Sequence, residues 1–369
     1  MNSAILNDAI RVLKDAKDKG TKIVGIVQHS MFPDELVLAA GAIPVRLILG
    51  GKDEQEIGDH YLSATTCPFG RATLGFFEKS HPLYSFFDTL IVGTFCNGVQ
   101  NVANYLHYFE IPSVSLVLPH DRRESSLNFY VNELKKIQTY LENLTGKRCT
   151  AKGFSDAIQS YNEMRSLLRK INEYRKQDIP PISGTGIHEL VCQSLLVGPK
   201  VMIPKCQEVL DTLNDSLPQY SGTRILLTGS GITFGDIILE IIEDQCGGLI
   251  VADDLWSSMD YFLEDVEITN PNPLKSLADR YLCRNLCGRM IPESEIRIPK
   301  IVELYRSYHA KGIINHTLKF CDSYSSLKPE FRKFMARRDI SVLDLDRDYA
   351  ESDVGQLKTR IEAFLEMIA

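Results

Sequence analysis

Three cysteines lie at positions from which their thiols could bind a ligand. Cys96 ends the apolar run "DTLIVGTF" and Cys321 ends "GIINHTLKF", and turn-forming residues follow each of them. Cys67 precedes a proline and a helical pattern, so we expect it at a helix N-terminus, where the helix dipole favours a thiolate. Thiolates in such places could bind a metal ion or an iron-sulfur cluster.

The spacing of these cysteines limits the kind of site. They are 96 − 67 = 29 and 321 − 96 = 225 residues apart, and no Cys-x-x-Cys occurs among them, which excludes a compact zinc ribbon or ferredoxin site. Ligands gather beyond the carboxyl ends of strands in open α/β sheets, so Cys96 and Cys321 can face each other across a cleft between two sheets. Three buried thiols at strand ends are the alternative, and the spacing alone does not separate the two.

The remaining cysteines predict no second site. The chain has nine cysteines, an odd number, and its N-terminus predicts an amphipathic helix and no signal peptide, which argues against a disulfide framework. Cys283 and Cys287 are four apart and share a face if their segment is helical. We interpret that segment as helical and packed, and we expect the two thiols to fill space or line the cleft rather than bind a metal.

Alternating strand and helix patterns must position these cysteines. In residues 22–119, runs such as "KIVGIV" and "IPVRLIL" alternate with helical stretches, which predicts a parallel sheet covered by helices. Helical spacing then dominates, until strand patterns return with "RILLTGSG", followed by "IILEIIEDQCGG", "LIVADDLW", "GIINHTLKFC" and "ISVLDLD". The predicted fold class is α/β, with two doubly wound parallel-sheet units, a helical layer between them and the active site in the interdomain cleft. We predict a first α/β domain over 1–124, the helical layer over 125–220 and a second α/β domain over 221–369.

Composition excludes several classes of protein. The 369 residues carry a formal net charge of −7, and the pI is about 5.7, which argues against nucleic acid as a partner. No run of about 18 apolar residues is present to span a membrane. These features predict a cytoplasmic protein.

A glycine-rich turn is similar in sequence to a dinucleotide-binding fingerprint. Gly229, Gly231 and Gly235 follow a strand pattern, and Asp253 and Asp254 end the next one. The last glycine gap is three residues rather than two, so we expect an ordinary strand-to-helix turn. The sequence also has no H-E-x-x-H, G-x-S-x-G or G-x-x-x-x-G-K-[ST] motif, so a zincin, an α/β-hydrolase and a P-loop ATPase are unsupported.

Polar residues after the first strand form a further candidate group. Ser30 and His29 lie at the same predicted sheet edge as the cysteines. We expect Ser30 to be a hydrogen-bond partner for a substrate oxygen, and His29 to be only its neighbour. Asp34 and Glu35 are typical of acids in the first turn of a helix rather than of catalytic bases, and Trp256 is most simply a core or interface aromatic.

Eight stretches of the chain together suggest a family. In chain order they are "IVQHSMFPDELVLAAGAIPVRLILGG", "CPFGRATLGFF", "DTLIVGTFCNGVQNVANYL", "RILLTGSG", "GLIVADDL", "PLKSLADRYLCRNLCGRM", "LKFCDSYSSL" and "LKTRIEAFLEM". In this order the chain resembles the 2-hydroxyacyl-CoA dehydratase and benzoyl-CoA reductase family over nearly its whole length. The family often has a cysteine near Cys287 that follows a proline, and here Leu286 stands in the place of that proline.

The resemblance implies a cofactor and partners. Family members carry a [4Fe-4S] cluster on three cysteines per subunit, and these fall on Cys67, Cys96 and Cys321, with the fourth iron left for a small ligand or the substrate. It also implies an oxygen-sensitive catalytic subunit that pairs with a homologous second subunit or with itself. A separate ATP-hydrolysing iron-sulfur activator would supply single electrons of very low potential.

The activity that the resemblance implies is removal of water from a 2-hydroxyacyl-CoA, a lyase reaction. The β proton of such a thioester is barely acidic, and ordinary side-chain bases do not remove it easily. One-electron reduction of the thioester to a ketyl radical makes the hydroxyl leave and the β proton acidic. The alternatives are a benzoyl-CoA reductase-type or double-cubane reductase subunit, or a non-catalytic electron-relay subunit. The sequence has no adjacent Cys-Cys pair, which would have favoured the double-cubane type.

Overall fold

A computed structural model describes residues 3–27, 31–213, 219–268, 270–284, 286–349 and 354–369. Its strands are β1 (Ile23–Ile26), β2 (Ile43–Arg46), β3 (Thr89–Gly93), β4 (Ser113–Leu116), β5 (Thr223–Gly229), β6 (Gly248–Asp253), β7 (Gly312–Leu318) and β8 (Val342–Arg347). Its α-helices are α1 (Ser3–Asp18), α2 (Asp34–Ala39), α3 (Lys52–Gly58), α4 (Pro68–Glu78), α5 (Asn97–Ala103), α6 (Glu124–Thr145), α7 (Ala151–Glu173), α8 (Gly184–Val197), α9 (Pro199–Leu213), α10 (Ile237–Glu240), α11 (Met259–Phe262), α12 (Pro273–Ala278), α13 (Glu293–Ser307), α14 (Asp322–Ala336) and α15 (Val354–Ile368). None of the helices within these ranges is both long and apolar enough to cross a membrane.

The strands form two parallel sheets with the same topology. The first has the order β2-β1-β3-β4 and the second β6-β5-β7-β8, and all pairings are parallel. The strand order reverses between β1 and β3 and between β5 and β7, and crevices for ligands form at the carboxyl ends of strands at such switch points. The predicted α/β fold class with two parallel-sheet units is confirmed.

A helical layer lies between the sheets. Strands β1, β3, β6 and β7 are buried along their whole length, as is typical of parallel strands covered on both faces. Helix α8 packs against both β2 and β6, so most of its residues are buried.

One of two segments agrees with the sequence prediction and the other does not. The strand-to-helix turn predicted at the glycine-rich stretch is followed by α10 and a π-helical continuation, Ile241–Gln245. The Asp236 side chain caps this helix by accepting a hydrogen bond from the N–H of Ile238 at 3.1 Å. The prediction that Cys283 and Cys287 share a helix is wrong. A π-helical turn after α12 ends at Cys283, and Cys287 lies beyond it in a non-helical loop.

The acids of α2 occupy the first helical turn, as predicted, and they also form buried ion pairs. Asp34 pairs with Arg46 at the end of β2 at 2.9 Å. Glu35 pairs with Arg165 of α7 and accepts a hydrogen bond from the hydroxyl of Tyr281 at 2.8 Å. The Glu35–Arg165 pair joins the first unit to the helical layer, whereas the Asp34–Arg46 pair lies within the first unit.

Hydrogen bonds donated by backbone N–H groups join the two sheet units. The N–H of Phe234, after β5, donates to the carbonyl of Ile48, after β2, at 2.8 Å. The N–H of Tyr349, after β8, donates to the side chain of Gln55 at 3.2 Å. The carboxyl ends of both sheets therefore face one shared cleft.

Candidate functional site

Each of the three predicted cysteines immediately precedes a helix. Cys67 is the N-cap residue of α4, Cys96 of α5 and Cys321 of α14. The strand β3 delivers Cys96 and β7 delivers Cys321 to the cleft, while the N-terminus of α4 brings in Cys67. Free N–H groups and the positive end of the dipole lie at a helix N-terminus, so these positions favour negative charge on sulfur.

The three cysteines line one cavity between the sheets. Its volume is about 70 Å³, several times the roughly 15 Å³ that one water molecule needs. The first unit contributes Val27, Leu47, Cys67, Phe69, Cys96 and Val99, and the second contributes Ser230, Gly231, Thr233, Asp254, Trp256, Asp260, Cys287, Leu318, Cys321 and Tyr324. We call this space the cysteine pocket.

The thiols of Cys67 and Cys321 are poor acids by themselves. Burial, with the neighbouring thiols adding to it, raises the pKa of Cys67 to about 12 and that of Cys321 to about 11. The backbone N–H groups of Phe69 and Gly70 act against this rise at Cys67. The sulfurs of Cys67 and Cys321 would therefore carry charge only beside a bound cation, which deprotonates the thiols that coordinate it.

Cys287 is a fourth sulfur of the same pocket. It is buried, and burial raises its pKa to about 12, with Cys96 and Cys321 near enough to contribute. The guanidinium of Arg289, two residues on, acts against the rise and pairs with Asp322 at 2.5 Å. The sequence left two possibilities for Cys287, to fill space or to line the cleft. Cys287 lies in a loop that lines the cleft.

Two carboxylates of the second unit face the cysteine pocket. Asp254 follows β6 and pairs through Oδ2 with buried Arg297 at 2.7 Å, which also donates to the hydroxyl of Thr228 at 2.6 Å. The other oxygen of Asp254, Oδ1, is buried and has no hydrogen-bond partner among the described residues. A buried acceptor of this kind is costly unless a ligand satisfies it. Asp260 is the second residue of α11 and is half-buried.

The glycine-rich turn closes the pocket wall. A Cβ on Gly231 would lie 1.6 Å from Nε1 of Trp256, and one on Gly229 would lie 1.8 Å from the carbonyl oxygen of His316. Both glycines are therefore needed for close approach of neighbouring groups, a packing reason for glycine at these positions. Trp256 lines the cysteine pocket rather than the core alone.

The side chains that could bind a metal surround a cavity rather than a single metal position. Within the described ranges, no group of three or more His, Cys, Asp or Glu side chains is arranged to hold a metal ion. A single zinc ion needs its ligands about 2.0–2.3 Å from one centre. An iron-sulfur cluster instead takes each cysteine on a different iron at its periphery.

Comparison with protein families shows to which family the chain belongs. The family described as "2-hydroxyglutaryl-CoA dehydratase, D-component" matches residues 29–368. The chain belongs to this family. The resemblance predicted from the eight stretches is thereby confirmed.

Named relatives of this dehydratase-family chain span nearly its full length. It is 24% identical to the (R)-phenyllactyl-CoA dehydratase beta subunit of Clostridium sporogenes, over 97% of this chain and 94% of that protein. It is 22% identical to the (R)-2-hydroxyglutaryl-CoA dehydratase beta subunit of Acidaminococcus fermentans, over 97% and 95%. It is 23% identical to a benzoyl-CoA reductase subunit of Thauera aromatica, over 85% and 82%. Its relatives are thus subunits of 2-hydroxyacyl-CoA dehydratases and of a benzoyl-CoA reductase.

Sequence reasoning and structure differ over some residues of this family member. Ser30 and His29 lie outside the described residues, so their predicted places stay predictions. Asp260 and the open oxygen of Asp254 were missed as site residues. The sequence does carry a signal for Asp254, because two aspartates close the strand pattern in "VADDL", at the edge of the sheet where ligands bind.

Proposed function

We propose that this protein is the [4Fe-4S] subunit of an ATP-activated 2-hydroxyacyl-CoA dehydratase, a hydro-lyase, and that Cys67, Cys96 and Cys321 hold the cluster. One observation carries the proposal: three cysteines from distant parts of the chain, each at a helix N-terminus, line one cavity at the switch points of both sheets. Membership of the dehydratase family supports it.

The residues present fit such a cluster. Three cysteines that precede three different helices line one cavity, and apolar side chains such as Val27, Leu47 and Val99 form part of the wall, as suits a site that excludes water. A bound [4Fe-4S] cluster would supply single electrons and an iron open to a substrate oxygen. The cysteine thiols would bind it as thiolates, whose charge the helix N-termini and Arg289 stabilise.

The chain's own polar groups would orient the substrate. Oδ1 of Asp254 can accept a hydrogen bond from the substrate hydroxyl, and Arg297 holds this carboxylate in place. The hydroxyl of Ser230 accepts from the N–H of Leu318 at 2.6 Å and so fixes the turn after β5 against the end of β7. Ser30 stays a predicted partner for a substrate oxygen.

Partners follow from the same proposal. Two relatives are named as beta subunits, so we expect a homologous second subunit in a heterodimer, with a homodimer as the alternative. A P-loop motif is lacking in the sequence, so ATP would be used by a separate iron-sulfur activator protein. The substrate would be an acyl-CoA in the cytoplasm.

Anaerobic purification tests the cluster. We expect a brown protein with about four irons and four sulfides per chain that bleaches in air. Cys67→Ala, Cys96→Ala and Cys321→Ala should each lose most of the iron, whereas the control Cys149→Ala should keep it. Cys149 is half-buried outside the cysteine pocket. A colourless protein with stoichiometric zinc would overturn the proposal.

Turnover tests the reaction. The protein is mixed anaerobically with its second subunit, activator, ATP and reductant, and a panel of 2-hydroxyacyl-CoA thioesters is offered beside benzoyl-CoA. Formation of enoyl-CoA supports a dehydratase. Consumption of benzoyl-CoA alone would support the reductase alternative, and an iron-loaded chain whose spectrum no thioester perturbs would support an electron relay.

A further inference from the structure

A second cavity adjoins the cysteine pocket. Its volume is about 440 Å³, and it lies between α11, the loop after Cys283 and α13. Asp260 is the one side chain among the described residues that lines both cavities. One carboxylate thus faces the cysteines on one side and the second cavity on the other.

The walls of the second cavity do not suit an acyl-CoA. Besides Asp260, it carries the carboxylates Glu264, Glu295 and Glu303 and only two cations, Arg284 and Lys300. Both cations are already paired: Arg284 lies 2.8 Å from Glu267, and Lys300 lies 2.9 Å from Glu303. A wall with more acids than bases repels the phosphates of CoA. It does suit water and the passage of protons.

Asp260 and its neighbour Asp254 differ in whether their carboxylates form an ion pair. Asp254 is fixed by an ion pair with Arg297 and does not line the second cavity. Asp260 forms no ion pair within the described part of the chain. The carboxylate of Asp260 is therefore the one able to exchange a proton.

The charges around Asp260 favour its protonated form near neutral pH. Burial raises the pKa of Asp260 to about 7, and the charges of Asp253 and Asp254 at the end of β6 add to the rise. Arg280, whose guanidinium is held by the carbonyl oxygens of Tyr261 and Glu264, acts against it, as does the backbone of Leu286. A carboxyl group tuned to the working pH is suited to take up and release protons.

We propose that Asp260 is the proton carrier of the reaction, taking the β proton of the substrate in the cysteine pocket and passing it to solvent through the second cavity. This inference rests on the proposed function. In the net reaction the substrate loses a proton from its β carbon and hydroxide from its α carbon. The C–H electron pair becomes the second bond between these carbons, and proton and hydroxide make water, so the electron count is unchanged.

Asp260→Asn tests the proposal, with Glu163→Gln as the control. Glu163 is an exposed carboxylate of α7 and lines neither cavity. We expect the asparagine variant to keep its iron and its thioester-induced spectral change, because all cysteines are intact. Its turnover should fall about 10²–10⁴-fold, the usual contribution of a general acid or base. The control should match the wild type.

Stability supplies a readout that a structural role would not produce. A carboxyl whose pKa is raised on folding costs stability once the pH exceeds its unfolded value of about 4, and the full cost is reached above about pH 7. Asp260→Asn removes this cost, so its urea midpoint should exceed that of the wild type at pH 8, with the gap closing at pH 4.

The outcomes separate this inference from the proposed function. If the wild type holds no iron or dehydrates no thioester, the proposed function fails, whatever the variant does. If the wild type is active and Asp260→Asn is equally active, the proton carrier is another group. A lower urea midpoint with lost iron would make Asp260 a structural residue and would also overturn the inference.

Discussion

Gly98→Ala would test the cysteine pocket without touching a cysteine. Gly98 is the second residue of α5, and a Cβ added there would lie 2.6 Å from Cβ of Cys67 and 3.5 Å from its sulfur. The reverse contact is equally close, since a Cβ on Gly70 would lie 2.5 Å from the carbonyl oxygen of Gly98. The two glycines allow the first turns of α4 and α5 to touch, and this contact sets the distance between Cys67 and Cys96.

The size of the effect follows from these distances. Ordinary carbon contacts are about 3.5–4.0 Å, so the added methyl must push the first turn of α4 away by about 1 Å. Sites of this kind tolerate displacements of only about 0.5 Å. Overpacking of a buried contact costs about 1–3 kcal/mol, of which the better helix propensity of alanine offsets about 0.5–1 kcal/mol. We therefore expect a modest loss of stability and a large loss of iron.

The assay is iron and sulfide per chain after anaerobic purification, measured beside urea unfolding. Gly98→Ala should hold less than half of the wild-type iron. Gly355→Ala is the matched control, because a Cβ there meets nothing within 4 Å and the residue lies in α15. It should keep all the iron and unfold at an equal or higher urea concentration. Full iron in Gly98→Ala, with an unchanged unfolding midpoint, would refute the argument that this contact positions Cys67.

Three further predictions concern the buried Glu35–Arg165 ion pair, the cluster ligands and the cysteine pocket. Glu35→Gln should lower the free energy of unfolding by about 3–5 kcal/mol in urea titrations, because it leaves the buried charge of Arg165 uncompensated. Burial alone would raise the pKa of Glu35, but the charge of Arg165 outweighs burial and the pKa is lowered. The difference in unfolding free energy between variant and wild type should therefore shrink as the pH falls below about 4. A difference that stays constant with pH would contradict this. Cys321→Ser should lose iron while Cys149→Ser keeps it, since serine is a harder and poorer iron ligand, and equal iron in both variants would exclude Cys321 as a ligand. Trp256 is the only tryptophan of the chain and lines the cysteine pocket, so its fluorescence should fall when iron and sulfide are added anaerobically and recover with a chelator; unchanged emission would mean that iron binds elsewhere.

Local patterns identified the strands and most helices. The apolar run of β1 and the turn residues after Cys96 and Cys321 act over a few neighbours, so their effect can be deduced from the chain alone. The same reasoning failed at Cys287, whose segment has a helical pattern but forms a non-helical loop. The packing of that loop against the other unit decided its conformation there.

The sequence by itself determined that Cys67, Cys96 and Cys321 stand at the ends of strands or ahead of a helix, because these places depend on short-range patterns. Only the tertiary structure decided that they line one cavity together, that Cys287 joins them from a loop, and that Asp260 lines a second cavity as well. Those relations join residues up to 321 − 67 = 254 positions apart. They follow from the packing of two sheets across a helical layer, which no local pattern encodes.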